Sequence, residues 1–348
     1  MEPYGTIQGS VLASLMYLIY ILDFPLLFHD EVHNPIEDIN CTKETALTYV
    51  DYINNTVKAV ENTPLQNTMT DSLDKCKTYM NDNKLSLNKP KTKIFGISED
   101  INIKESLHIP TDNNNENVTN KNTINILGIK INGNLKMNDH ITNGKQSLIC
   151  QLTSRINALK KLVKKSDFNF SLNLANGLFM SKLVYGIQAW GLAAKYLIQK
   201  LQVLQNTAAK TVLGYKAYKL STIELLKKMN WLSVEKLITL HIGIMVNNIL
   251  CTKEPEYLYL RLQNKNSNCN RSNLGRKLGQ RPAEEGNSQF TKNQFVSRVY
   301  NIYNNIPSQI TSIMDKKLFK KHLKTYLHTN LLPNLKDFPI HGILPGLD

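Results

Sequence analysis

Two sets of paired lysines stand at spacings that suit binding chemistry. Lys160-Lys161 and Lys164-Lys165 recur at a four-residue interval, as do Lys316-Lys317 and Lys320-Lys321. On a helix each set lies along one face, and a row of ammonium groups there matches the phosphates of a nucleic-acid backbone. A solvated lysine face is the ordinary alternative. His29 and His33 also stand four apart, a spacing that holds zinc on a helix. Their order, His-Asp-Glu-Val-His, is not the His-Glu-x-x-His of a zinc site, and Pro25 lies close upstream, so a loop is expected. Cys41, Cys76, Cys150, Cys251 and Cys269 are scattered with no Cys-x-x-Cys pair. That argues against a zinc knuckle and against a disulfide scaffold. Trp190 and Trp231 fall on expected helix faces and read as core aromatics.

Charge narrows the partner. The chain of 348 residues carries a net +14 with 42% hydrophobic residues, enough apolar content to exclude wholesale disorder. The excess is unevenly placed. Residues 1–60 hold two Lys against eight acids, residues 61–150 eleven against ten, and residues 151–348 hold 29 Lys and Arg against ten. A surplus of cations concentrated in one half points to a polyanion as partner.

The elements that must position these residues fall into two regimes. Residues 11–28 are apolar, but Asp23 and Pro25 interrupt them and no basic stretch precedes them, so a buried helix is expected rather than a membrane segment. Residues 45–60 alternate like a hairpin broken at Asn54-Asn55, and residues 65–80 have helical periodicity. Residues 91–97 and 125–131 resemble strands, with an Asn-rich polar loop at 111–122 between them. Helical periodicity then predicts helices over 141–163, 172–190, 195–213, 222–229, 234–250 and 319–328. The expected fold class is therefore α+β followed by an all-helical basic region.

Several segments, in order, resemble the reverse transcriptase of jockey-like non-LTR retrotransposons. Gly5-Thr6-Ile7-Gln8-Gly9-Ser10 resembles the family's Gly-x-Pro-Gln-Gly-Ser turn, and Tyr49-Val50-Asp51-Tyr52 its aromatic-x-Asp-Asp hairpin. Leu85-Ser86-Leu87-Asn88-Lys89-Pro90-Lys91-Thr92 is similar to its L-x-L-N-x-x-K-T segment, and Leu127-Gly128-Ile129-Lys130-Ile131 to the hairpin that grips the primer. Tyr185-Gly186-Ile187-Gln188-Ala189-Trp190-Gly191 and Leu204-Gln205-Asn206-Thr207-Ala208-Ala209-Lys210 resemble the helical thumb. Met229-Asn230-Trp231-Leu232-Ser233 and the run from Val299 to Pro307 resemble the C-terminal tail.

The resemblance implies a truncated polymerase palm over 1–135, a helical thumb-like region over 136–262, a polar linker over 263–289 and a helical tail over 290–348. It implies an RNA template and a DNA primer as partners, with Mg²⁺ or Mn²⁺ as cofactor. Gly5, Gln8, Gly9 and Ser10 would approach the nucleotide and template, Asp51 would hold metal, and Lys91 would meet the departing pyrophosphate. Lys160, Lys161, Lys164 and Lys165 would follow the nucleic-acid backbone. The departures are as informative. The second hairpin Asp is Tyr52, the turn Pro is Ile7, and the family's first metal-binding Asp belongs to a strand before Gly5, where only four residues stand. One carboxylate, Asp51, does not fix two ions, so the expectation is a polymerase by descent, inactive alone. The alternative is a catalytically dead, basic nucleic-acid-binding relic.

Overall fold

The computed structural model describes residues 20–21, 23–24, 43–49, 52–58, 62–85, 92–93, 95–97, 108–109, 118–119, 123–163, 166–214, 217, 219–262, 278 and 295–329. The chain divides into two compact units, Met1–Asn122 and Thr123–Asp348.

In the first unit, β1 (Lys43–Tyr49) pairs antiparallel with β2 (Tyr52–Lys58), and the register ends with Tyr49 opposite Tyr52. Asn54 and Asn55, expected to break the hairpin, instead lie within β2 opposite Leu47 and Ala46. Helix α1 (Asn62–Asp82) follows and packs on β2. Its buried side is Cys76, Tyr79 and Met80, repeating at three and four residues, and these meet Ile21 and Phe24. Phe24 meets Tyr79 edge-on at 5.1 Å between ring centroids. The Tyr79 hydroxyl donates to Asp23 Oδ1 at 2.5 Å and that of Tyr20 to the Asn83 carbonyl at 2.6 Å. Ile21 and Phe24 are thus buried against protein, as expected for the apolar stretch that contains them. A second pair, β3 (His108–Ile109) with β4 (Val118–Thr119), is two residues long.

The second unit opens with the hairpin β5 (Thr123–Ile126) and β6 (Ile129–Asn132). Leu127 and Gly128 turn it with φ of +48° and +80°, as a two-residue hairpin turn demands. Helices follow: α2 (Asn138–Ile141), α3 (Leu148–Leu162), α4 (Phe168–Ala175), a π-helical turn (Asn176–Met180), α5 (Ser181–Val184), α6 (Ile187–Trp190), α7 (Lys195–Leu213), α8 (Thr222–Met229), α9 (Val234–Thr252) and α10 (Glu256–Leu262). The last are α11 (Phe295–Asn304), α12 (Ser308–Thr311) and α13 (Lys316–Thr329).

Local signals set most of these limits. Ser147, Asp167, Ser221 and Ser233 cap α3, α4, α8 and α9 by accepting backbone N–H bonds, and Ser221 with Glu224 forms a reciprocal capping box. The helix expected from residue 141 therefore starts at Leu148, after Gly144 (φ +84°) and the Ser147 cap. The one expected over 172–190 starts earlier, at Phe168, and breaks at Tyr185-Gly186. Gly186 has φ +63°, and a Cβ there would lie 2.4 Å from Ile129 Cδ1. Only glycine serves both the left-handed backbone and the close approach of β6.

α9 is the core of the unit. Helices α7, α11 and α13 pack on it, and at Gly243 a Cβ would lie 2.9 Å from both Ile306 Cδ1 and Leu323 Cδ2. Among the described residues α9 is also the one helix long and apolar enough to cross a membrane, and 56% of it is buried inside the unit. Trp190 is fully buried, and Trp231 nearly so, stacked against Phe179 at 6.3 Å. Both are core aromatics, as expected.

The α+β expectation built on a polymerase palm is overturned. Most described residues are helical, and among the described residues the strands form only separate two-stranded antiparallel pairs, with no wider sheet to serve as a palm. Thr92, Lys93, Phe95, Gly96 and Ile97, expected in a strand, are irregular. A short apolar run looks the same whether it enters a sheet or packs as an irregular segment; only a pairing partner decides, and periodicity does not supply one.

Candidate nucleic-acid interface

Several described carboxylates of the second unit are engaged at helix starts. Asp167 caps α4, Glu224 completes the α8 capping box, and Asp315 Oδ1 accepts from the Leu318 N–H as α13 begins. Glu235 and Glu256 stand in the first turns of α9 and α10. Asp139 accepts from the Asn132 and Asn143 amides at 2.9 and 2.7 Å. These positions suit negative charge because the helix N-terminus is the positive end of its dipole. Among the described residues of this unit, no lysine or arginine forms an ion pair with one of these carboxylates. Asp167, Glu224 and Asp315 thus stabilise helix starts, while Lys236 and Arg155 donate to backbone carbonyls within the unit.

On α13, Phe319, Leu323 and Leu327 are buried, while Lys316, Lys317, Lys320, Lys321 and Lys324 are exposed. The four-residue periodicity therefore separates an apolar stripe from a cationic one. Lys160 and Lys161 are exposed on the last turn of α3, where positive charge also complements the helix dipole. Lys164, Lys165, Gly5, Gln8, Gly9, Ser10, Asp51, Lys91, His29 and His33 lie outside the described residues. Among the described residues, no group of three or more His, Cys, Asp or Glu side chains is placed to hold a metal ion.

A second group, three cations around a buried histidine and not singled out by the lysine pairs, comes from four separate elements. Lys130 lies on β6, His140 on α2, Arg155 on α3 and Lys182 on α5. Burial holds His140 at a pKa of about 4, with Lys182 and Lys130 adding repulsion, so its ring is neutral near pH 7. Its Nδ1 accepts the Lys130 N–H at 3.4 Å. Burial also depresses the Lys182 pKa, and Arg155 adds to the effect. Arg155 Nη1 donates to the Leu178 carbonyl in the π-helical turn at 2.7 Å. Elsewhere, burial lowers His241 with Lys320 contributing, and lowers His328 with Lys324 and Lys236 contributing.

Two tyrosines accompany these cations. Lys182 Nζ lies 5.4 Å from the Tyr185 ring centroid and Lys200 Nζ 5.6 Å from that of Tyr196. Their spacings, i,i+3 and i,i+4, are a helical signal present in the sequence. The convergence of Lys130, Arg155 and Lys182 has no such signal, because only the packing of β6, α3 and α5 creates it.

The segments that carry the family resemblance meet inside this unit as packing partners. The Tyr185 hydroxyl donates to the Leu127 carbonyl at 2.7 Å, and Ile129 packs over Gly186. Gln205, fully buried, donates to the Leu232 carbonyl at 2.9 Å, and Gln202 Oε1 accepts from the Val234 N–H at 2.9 Å. Trp231 Nε1 donates to Asn176 Oδ1 at 2.8 Å. These bonds hold the helices and the β5–β6 hairpin together. No family model matches the chain, and no curated protein and no solved structure is found similar to it.

Proposed function

We propose that this chain descends from a non-LTR reverse transcriptase and acts by binding nucleic acid, without regard to sequence, through its basic helical unit. The observation that carries this is the charge of the described helices in residues 123–348, where Asp167, Glu224 and Asp315 serve helix starts and the lysines of α13 and of the end of α3 are exposed. Such a surface gains affinity for a polyanion by releasing its condensed counterions. RNA template and DNA primer are the partners by descent. Polymerase activity is not expected of the chain alone, since Tyr52 stands where the family has its second hairpin carboxylate and a phenol does not replace a hard oxygen ligand. Mg²⁺ or Mn²⁺ chemistry would then require carboxylates in addition to Asp51.

Filter binding of RNA and DNA oligonucleotides across a salt series tests the binding. The expected result is affinity that falls steeply and linearly on logarithmic axes; no retention at low salt removes the proposal. Primer extension with Mg²⁺ or Mn²⁺ tests the second part. Extension above background that vanishes in Asp51→Ala would establish a working polymerase instead.

A further inference from the structure

We propose that Tyr185 and Tyr196 form a stacking platform for single-stranded nucleic acid, each ring taking an unpaired base while the lysine beside it meets the adjoining phosphate. This rests on the nucleic-acid binding proposed above and specifies the form of nucleic acid taken.

Both rings are held yet open. Tyr185 is 50% exposed and Tyr196 47%, although large aromatics are usually enclosed. Each hydroxyl is nevertheless fixed: that of Tyr185 donates to the Leu127 carbonyl at 2.7 Å, and that of Tyr196 accepts from Asn138 Nδ2 at 2.9 Å. Anchoring the hydroxyl restricts the ring before any ligand arrives, which lowers the ordering cost of stacking. The ring itself contributes area at the expense of only two side-chain torsions.

The two rings are also connected. Tyr185 bonds to the turn of the β5–β6 hairpin, and β6 meets α2 through the Lys130 N–H and His140 Nδ1. Asn138, which opens α2, then holds Tyr196. Lys130 thus sits on the element that links the two lysine–tyrosine pairs through hydrogen bonds. A π-face accepts any base but needs it unstacked, and a duplex offers that only at its ends. Isolated surface cation–π pairs would account for either tyrosine alone. They do not account for both hydroxyls being fixed to the same hairpin-and-helix substructure while both rings stay half open.

Fluorescence anisotropy of the full chain with labelled oligothymidylate and with a blunt duplex of equal length tests this. Tyr185→Ala with Tyr196→Ala should weaken oligothymidylate binding by roughly tenfold or more and leave duplex binding within about twofold. Tyr185→Phe with Tyr196→Phe should weaken oligothymidylate binding less than the alanine pair does, because the rings remain while the hydroxyl anchors that pre-order them are gone. Equal losses on both ligands, or no loss on oligothymidylate, overturn the platform while leaving the basic unit as a binder. Failure of the unaltered chain to bind either ligand overturns both. Should the alanine variants not fold, photocrosslinking of the unaltered chain to bromodeoxyuridine-containing oligothymidylate decides. Adducts at Tyr185 or Tyr196 support the platform, and adducts found solely elsewhere overturn it.

Discussion

The two units differ in charge and in how their chemistry is organised. Met1–Asn122 carries ten Lys against 17 acids, a net −7, whereas Thr123–Asp348 carries 32 Lys and Arg against 11 acids, a net +21. In the first, the described core joins Ile21 and Phe24 to one side of α1. In the second it runs from Ile129 to Leu327 and encloses Trp190, Phe179, Tyr303 and Phe319. The comparison teaches that a strongly cationic surface needs a core able to hold it. Each lysine-rich helix here has an apolar stripe packed on α9 or its neighbours, and that burial offsets the repulsion among the charges it displays.

The largest test of that comparison is the core beneath the charges. Trp190→Ala removes a fully buried indole whose Nε1 donates to the Tyr185 carbonyl at 2.9 Å. A loss of about 3–5 kcal/mol is expected in urea unfolding followed by circular dichroism. A loss below ~1 kcal/mol would mean the second unit does not depend on this packing.

Acid should expose the same dependence. His140 is buried and neutral, with a pKa of about 4 against an ordinary 6.5. The unfolded chain takes up the proton first, so stability should be intact above 6.5 and decline as pH falls toward 4. The gap bounds the loss from this group at ~3 kcal/mol, since one pKa unit is worth about 1.4 kcal/mol. His241 and His328, also lowered by burial, act in the same direction. Thermal melts at pH 7 and pH 5 measure it, and His140→Asn should flatten the difference. An unchanged slope in that variant would assign the acid sensitivity to other groups.

Charge reversal at Lys316, Lys317, Lys320 and Lys321 to Glu sharpens the electrostatic half. Roughly tenfold weaker binding and a shallower salt dependence are expected, with helix content retained because Phe319, Leu323 and Leu327 are untouched. An identical salt slope would remove α13 from the interface. Smallest of all, Ser221→Ala breaks the capping box of α8 and should cost about 1 kcal/mol. Melting within error of the parent would show that packing alone holds α8.

Short-range features were legible. The spans expected for α7 and α8, 195–213 and 222–229, coincide with the observed helices, because an apolar stripe, the Ser221 cap and the turn at Gly214 (φ +77°) all act within a few residues. The cationic stripe of α13 and the core place of Trp190 follow from the same periodicity, whereas Trp231, expected on a helix face, is buried from the segment between α8 and α9. The sequence by itself thus determined α7, α8, the cationic stripe of α13 and the uneven charge. Tertiary structure alone decided that the described residues of the first part form no palm-like sheet, that β1 pairs with β2 in a register placing Asn54 and Asn55 inside the strand, and that residues 92–93 and 95–97 are irregular. It also decided that Lys130, Arg155 and Lys182 share one neighbourhood with an open tyrosine. The physical reason is range. A cap or a helical stripe is satisfied by neighbours three or four residues away, whereas strand pairing and the convergence of like charges depend on partners far along the chain.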